Sequence, residues 1–300
     1  MIRLLLLSVA VAWAEKPPIP AGLDAYLPVP EDNPLTAEKV ALGRKLFFDP
    51  RLSRDGTVSC ATFHDPQMAF TDKRPVGVGI GGRVGNRRVP RISNRAYGRS
   101  FFWDGRAASL EEQVLQPIAN PKEMDQTPAE AAAKVGLAVR ELSRSLASYV
   151  RTILSGDAPF DRYMAGDRGA LSEVQRFGLR VFRGKAGCTS CHLGPNLTDE
   201  RFHNTGVGWP ADQGRFAVTG TEADRGAFKT PSLRDAARAP PYMHDGSLAT
   251  LADVIEFYDK GGKANPHLDA EIRPLGLTAE ERAALSSFLE ALNGTMRDGL

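Results

Sequence analysis

Two short segments contain all three cysteines of this 300-residue chain, and each segment ends in a histidine. The segment Cys188-Thr189-Ser190-Cys191-His192 has the spacing that attaches a c-type haem: two thiols bond to the haem vinyl groups, and the histidine binds iron. In Cys60-Ala61-Thr62-Phe63-His64 a phenylalanine replaces the second cysteine, so at most one thioether can form there. The pattern predicts iron ligands at His64 and His192, and two haems, or one haem if the first site is empty.

The ligand opposite each histidine decides whether a haem iron transfers electrons or reacts with peroxide. The chain has five histidines, and none lies between His64 and His192. Met68 and Met124 are alternative ligands for the first haem, but an open or water-bound iron is the simpler interpretation. An open iron beneath an acid–base side chain is typical of a peroxidase, because a proton must move between the peroxide oxygens as their bond breaks.

Helix-capping residues divide most of the chain into helical segments, and strand signals are scarce. The stretch Leu42–Phe47 precedes the first motif much as Phe177–Phe182 precedes the second. We therefore predict a mainly α fold of two cytochrome c-type helical domains, each built around a c-type haem, with long loops. The boundary falls in the turn Gly166–Gly169, which gives a peroxide-reactive N-terminal domain over 15–168 and a C-terminal domain over 169–300. The predicted helices with their caps cover 36–47, 109–116, 127–154, 172–182, 250–260 and 278–292.

The first fourteen residues predict export. A basic residue at Arg3 is followed by an apolar run from Leu4 to Ala14, which ends in Ala12-Trp13-Ala14. This pattern is typical of a signal peptide over 1–14, and it predicts a periplasmic protein with no membrane span after cleavage; an uncleaved anchor is the alternative. The formal charge of +2, from 38 basic and 36 acidic residues, provides no field that would recruit nucleic acid.

From Leu42 to about Leu292 the chain resembles the bacterial di-haem cytochrome c peroxidases and, more closely, their MauG-like relatives. Several stretches together carry this resemblance, although any one of them alone would be weak evidence. They are Asp55–Cys60, Phe102–Ala107, Gln113–Glu123, Phe202–Gly206, Lys229–Arg234 and Pro241–Gly246.

The resemblance implies roles for individual residues. Trp103 matches the tryptophan that lies between the two haems and carries electrons or holes; a core indole is the alternative. Glu123 matches the acid–base group above the peroxide-binding haem, where Gln113 accompanies it and Pro117 shapes the pocket, although the residue type alone favours an exposed carboxylate. His244 is expected to hydrogen-bond near the second haem, with iron ligation as the alternative.

Tyr258 lies at the position that separates the two branches of the family. The cytochrome c peroxidases have a methionine there, whereas the MauG-like branch has a tyrosine. A phenolate is a hard anionic ligand that favours oxidised iron, whereas a thioether favours ferrous iron and raises the potential. The resemblance therefore implies a His192/Tyr258 haem; a tyrosine that only packs on the haem is the alternative.

The function implied is a periplasmic di-haem oxidoreductase that uses hydrogen peroxide at the His64 haem. Oxidising equivalents would then pass through Trp103 to the His192/Tyr258 haem and oxidise a protein partner. The alternatives are a cytochrome c peroxidase that takes electrons from a small cytochrome or copper protein, and a mono-haem electron-transfer protein with a defunct first site.

Two departures from the family pattern bear on the cofactors. Phe63 leaves Cys60 as the single covalent attachment of the first haem, and we expect its ring to pack on the haem edge. Arg88 stands where the family has an asparagine that binds calcium between the domains. A guanidinium cannot ligate a cation, so calcium bound through backbone carbonyls is left as an open alternative.

Overall fold

The computed structural model describes residues 17–300, so the predicted signal peptide lies outside the described residues. Helices dominate this part of the chain, which confirms the mainly α prediction, and no helix in it is long and apolar enough to cross a bilayer. The helices are α1 (Ala37–Phe47), α2 (Cys60–Phe63), α3 (Leu110–Gln113), α4 (Gln116–Ala119), α5 (Pro128–Lys134), α6 (Val139–Arg151), α7 (Pro159–Met164), α8 (Glu173–Arg183), α9 (Phe216–Thr219), α10 (Leu251–Asp259) and α11 (Ala279–Glu290).

Four short strands form two antiparallel pairs among the described residues. Strand β1 (Leu154–Gly156) pairs with β4 (Thr295–Arg297), and β2 (Phe202–His203) pairs with β3 (Phe228–Lys229). Because Leu154 lies opposite Arg297, the end of the chain returns to the first half of the molecule.

Each half is built on one close helix crossing, and the two crossings are alike. Helix α1 packs on α6, and α8 packs on α11. A Cβ atom added at Gly43 would lie 1.9 Å from the carbonyl oxygen of Ser145, and one at Gly178 would lie 2.0 Å from that of Ala284. Only glycine lets the two backbones approach this closely. The repeat seen in the sequence before each motif is therefore a repeat of structure.

Two hydrophobic clusters correspond to the two halves. The first lies between Leu27 and Leu154 and centres on Phe47 and Tyr149, while the second lies between Leu171 and Leu292. Phe160 of α7 packs on the second cluster, and its amide donates to the carbonyl oxygen of Ala291 at 3.1 Å. Helix α7 thus packs with the second half although it precedes residue 168, where we predicted the domain boundary.

Two predicted helices are each divided in the structure. The prediction of one helix over 127–154 was wrong, because Gly136 adopts φ +73° and Ala138 is extended between α5 and α6. The segment predicted from Ser109 to Gln116 ends as a helix at Gln113. Pro117 has no N–H to donate to the carbonyl of Gln113, so the α-helical ladder is interrupted and α4 begins anew.

Candidate active site

One continuous cavity of about 1130 Å³ lies between the two halves. It exceeds the roughly 300–1,000 Å³ that is usual for a pocket holding one small molecule. The predicted site residues from both halves line it: Cys60, His64, Trp103, Gln113, Pro117 and Glu123 from the first half, and Cys188, Cys191, His192, His244 and Tyr258 from the second. The fold thus brings every predicted site residue to a shared space, whereas Met68 does not line it and Met124 does.

The two motif histidines are held in the same way. The Nδ1 atom of His64 lies 3.0 Å from the carbonyl oxygen of Phe70, and that of His192 lies 3.0 Å from the carbonyl oxygen of Leu197. We call each such contact between a carbonyl and Nδ1 a clamp. The two residues whose carbonyls accept these bonds have positive φ, +55° at Phe70 and +51° at Leu197. Because a carbonyl can only accept, Nδ1 carries the proton in each ring and the Nε2 lone pair is left for a metal.

Burial favours the neutral, metal-binding form of both rings. It lowers the pKa of His64 to about 4, and it also lowers the pKa of His192. Both imidazoles are therefore uncharged at neutral pH before any metal binds.

The three motif cysteines are free thiols, and burial opposes the ionisation of Cys60 and Cys188. Burial raises the pKa of Cys60 to about 12, with a smaller contribution from the carboxylate of Glu123, and it raises the pKa of Cys188 to about 12. Phe63 is 5% exposed and also lines the cavity. Its ring thus occupies the side of the first motif from which the second thiol is missing.

The turn after α4 presents Glu123 to the cavity. Its amide donates to the carbonyl oxygen of Asn120 at 2.9 Å, and the next amide, of Met124, donates to that of Pro117 at 3.3 Å. The Asn120 side-chain amide donates to Glu123 Oε1 at 2.7 Å. Burial raises the pKa of Glu123 above its usual value, against the opposing effect of this bond. A carboxyl of this kind can exchange a proton nearer neutral pH than an exposed one.

Trp103 is anchored to both halves. Its indole Nε1 donates to the carbonyl oxygen of Arg88 at 2.8 Å, and its own carbonyl oxygen accepts from the amide of Lys229 at 2.8 Å. The ring meets the imidazole of His244 edge to face, with centroids 6.3 Å apart. The indole is thereby fixed at the seam between the halves rather than inside either hydrophobic cluster.

The His244 ring is stacked on Phe228, with centroids 3.5 Å apart and an interplanar angle of 14°. Burial lowers the pKa of His244 to about 4. Its Nε2 lies 4.0 Å from the carboxylate of Asp212 and has no hydrogen-bond partner among the described residues. The hydrogen bond expected of His244 near the second haem stays a prediction.

Tyr258 lies in the last turn of α10, and its side chain lines the part of the cavity that holds the second motif. Burial and the nearby thiols of Cys191 and Cys188 raise the pKa of this phenol. The phenol is thus neutral in the protein itself, and a metal ion that bound it would displace the proton.

Two groups near the site were not assigned roles from the sequence. Asn120, which holds Glu123, stands three residues before it in a turn, and that spacing was its only signal. The imidazole of His203 lies 2.5 Å from the carboxylate of Asp269 and 2.9 Å from that of Asp199. His203, Asp199 and Cys191 together form a cluster of side chains of the types that bind metal ions. Since haem attachment consumes the Cys191 thiol, we assign no separate metal to this cluster.

Comparison with known proteins identifies the family. Residues 37–142 match the sequence model of the di-haem cytochrome c peroxidase family. The methylamine utilization protein MauG of Methylorubrum extorquens is 43% identical to this chain over 286 residues, which cover 89% of this chain and 81% of the relative. The chain belongs to the di-haem cytochrome c peroxidase family. The cytochrome c551 peroxidase of Nitrosomonas europaea is 34% identical over 99% of this chain and 92% of its own length.

A solved structure agrees with this assignment. A MauG-like protein associated with microbial copper homeostasis superposes with a TM-score of 0.82 at 36% identity, over 91% of this chain and 94% of its own. As a member of this family the chain is an oxidoreductase that acts with peroxide, and two c-type haems are implied.

The residues present fit two haems. Each half offers an imidazole whose Nδ1 is held by a backbone carbonyl, at least one thiol in the same motif and a share of the same large cavity. In the absence of a porphyrin, a cavity of this size between two small clusters would leave much of the core unfilled. His64 and His192 are the residues that would hold the irons, and Cys60, Cys188 and Cys191 those that would form the thioethers.

Proposed function

We propose that this protein is a periplasmic di-haem oxidoreductase of the MauG type, which uses hydrogen peroxide at the His64 haem to oxidise a protein partner. Bound haem iron would supply the electron transfer and the cleavage of the O–O bond. Peroxide takes up two electrons and two protons to give two water molecules, and the partner supplies the electrons. We assign proton transfer, and charge transfer between the halves, to side chains of this chain.

Glu123 is proposed to move the proton. A carboxylate at this position accepts a proton from the peroxide oxygen that approaches the iron and returns it to the oxygen that leaves as water. The 2.7 Å bond from Asn120 to Oε1 fixes the carboxyl group and leaves its second oxygen for peroxide. Gln113 and Pro117 line the same cavity, where they would limit the space and the water around the bound peroxide.

Trp103 is proposed to carry charge between the halves. Its indole and its carbonyl are each bonded to a different half, at 2.8 Å in both cases, so its position is fixed relative to both motifs. A fixed aromatic ring between two redox centres provides a route for electrons or holes without any movement of the chain.

The observation that favours the MauG type is the position of Tyr258. It lines the same cavity as Cys188, Cys191 and His192, and its phenol lies close enough to both thiols for them to raise its pKa. If Tyr258 held the iron of that haem, its phenolate would favour the oxidised form and make the haem a poor acceptor of electrons from ordinary cytochromes.

Substitution of Tyr258 tests this proposal. The haem-loaded wild type, Tyr258→Met and Tyr258→Phe are mixed with peroxide and reduced cytochrome c, and oxidation of the cytochrome is followed by absorbance. We expect slow donor-dependent turnover in the wild type and an increase of at least roughly tenfold in Tyr258→Met, because a thioether raises the potential. Tyr258→Phe, which offers no ligand, controls for the loss of the phenol alone.

The cytochrome c peroxidase alternative makes the opposite prediction. Wild-type turnover with reduced cytochrome c at roughly 10 s⁻¹ or faster, unchanged in Tyr258→Met, would refute the MauG-type assignment. It would leave the family assignment intact.

A further inference from the structure

We infer that the guanidinium of Arg88 is a built-in cation that fills the oxygen-lined site between the two halves, in the place where the family resemblance implies calcium, so that this chain binds no calcium there. The inference concerns the cation that joins the halves, and it does not depend on which protein the enzyme oxidises.

Backbone carbonyls surround the Arg88 side chain. Its Nη1 donates to the carbonyl oxygen of Arg74 at 2.8 Å, and its Nη2 lies within reach of those of Asp72 at 3.0 Å, Ala239 at 3.1 Å and Pro240 at 3.2 Å. Asp72 and Arg74 belong to the first half, whereas Ala239 and Pro240 belong to the second. One positive charge thus binds oxygen atoms from both halves.

The charge is deeply buried, and one carboxylate lies beside it. The Arg88 side chain is 5% exposed and that of Asp72 is 8% exposed, and Asp72 Oδ1 lies 4.0 Å from Nη1. That Asp72 oxygen is buried and has no hydrogen-bond partner among the described residues. The other oxygen of Asp72 pairs with Arg74 at 2.8 Å, and Arg91 and Tyr242 are the further titratable groups near the guanidinium. Burial lowers the pKa of Arg88 to about 10, so it remains a cation at neutral pH.

The geometry leaves no place for a metal ion. Calcium needs six to eight oxygen ligands at about 2.3–2.6 Å, whereas these carbonyls lie 2.8–3.2 Å from the guanidinium nitrogens, which occupy the space between them. Arg88 supplies no oxygen from its side chain and would repel a second cation. The residues therefore do not fit calcium, and the covalently attached charge takes its place.

The backbone of Arg88 also makes hydrogen bonds at the contact between the two halves. The Arg88 carbonyl oxygen accepts from the Trp103 indole at 2.8 Å, and the Arg88 amide donates to the carbonyl oxygen of His244 at 2.7 Å. A cation that is part of the chain cannot dissociate, so these contacts do not depend on the concentration of a metal ion.

Calcium dependence tests the inference on the haem-loaded protein. We expect wild type purified in the presence of calcium and then dialysed to contain less than one calcium per ten chains by elemental analysis, and its Tm to be the same in EGTA and in millimolar calcium. One calcium per chain, or a fall in Tm on adding EGTA, would overturn the inference.

Two variants test whether the carbonyl cluster is a cation site. Arg88→Asn removes the charge and adds an oxygen ligand, whereas Arg88→Met removes the charge and adds none. We expect both to lower the Tm, and calcium to restore part of the loss in Arg88→Asn alone, with calorimetric binding of one ion per chain. If calcium acts no differently on the two variants, the inference is overturned. If neither variant folds, the wild-type measurement still decides.

Discussion

Glu123→Gln should slow the reaction with peroxide by roughly 10²–10⁴-fold, which is the range for loss of one general acid–base group. The structure indicates that this substitution changes the chemistry of the side chain without changing its position. The amide oxygen of the glutamine can still accept the 2.7 Å bond from Asn120, so the side chain keeps its place and loses only the ability to take up a proton. In free energy the expected loss is about 3–5 kcal/mol of transition-state stabilisation.

The pH dependence gives the prediction a second readout. Burial raises the pKa of Glu123, and the reaction needs its carboxylate form as the base. The rate constant of the wild type should therefore rise with pH through a value above the usual carboxyl range of about 4.3 and level off at higher pH, whereas that of Glu123→Gln should lack this step.

The assay is stopped-flow absorbance of the haem band against peroxide concentration, with the haem content of each sample established by intact mass. Glu141→Gln, an exposed carboxylate on α6, is the matched control and should react like the wild type. A Glu123→Gln protein that carries two haems and reacts within about threefold of the wild type would refute the acid–base assignment, since even weak general acid–base catalysis exceeds that factor.

Three further outcomes are expected. Intact denatured mass should give two covalent haems for the wild type and one for Cys60→Ser; a single haem in the wild type would leave the first site without covalent haem. Gly178→Ala, whose Cβ would lie 2.0 Å from a helix carbonyl, should lower the Tm by about 5–10 °C, while Gly169→Ala, whose Cβ would lie at an ordinary contact distance of 3.4 Å from the Asp167 side chain, should not. Glu200→Gln should cost roughly 3–5 kcal/mol, because it breaks a 2.7 Å pair with Arg95 that is largely buried. Burial alone would raise the pKa of Glu200, but Arg95 and Lys229 lower it, so the wild type should lose stability as pH falls below about 4.5, and the variant should lose less.

Local signals in the sequence predicted most of the long helices. The caps at Thr36, Ser172, Thr250 and Thr278 stand where the structure begins α1, α8, α10 and α11, since a hydroxyl that accepts from a backbone amide acts within one turn. The interruption at Gly136 was missed because the alanine-rich segment before it and the apolar residues at helical spacing after it favour one helix, and the positive φ of one glycine is not visible in that pattern.

The site was predictable where its residues form motifs and was not where it depends on contacts between the halves. Cys60, His64, Cys188 and His192 could be recognised from their spacing alone. The cluster of carbonyls around Arg88 could not, because backbone oxygens leave no trace in a sequence and two of them come from residues 239 and 240, far along the chain. The resemblance drew attention to Arg88 only as a departure from the family pattern.

The likeness of the two histidine sites supports a haem in the first half despite its missing cysteine. His64 and His192 each hold Nδ1 against a carbonyl at the same 3.0 Å, and in each case the carbonyl belongs to a residue with positive φ. A non-glycine residue in that region costs on the order of 1–3 kcal/mol, and such strain persists only where the surroundings enforce it. An empty pocket gains nothing from a fixed, neutral imidazole, whereas an iron ligand requires one. We therefore expect Phe63 to change how the first haem is attached, while the clamp that presents its ligand is as complete as in the second half.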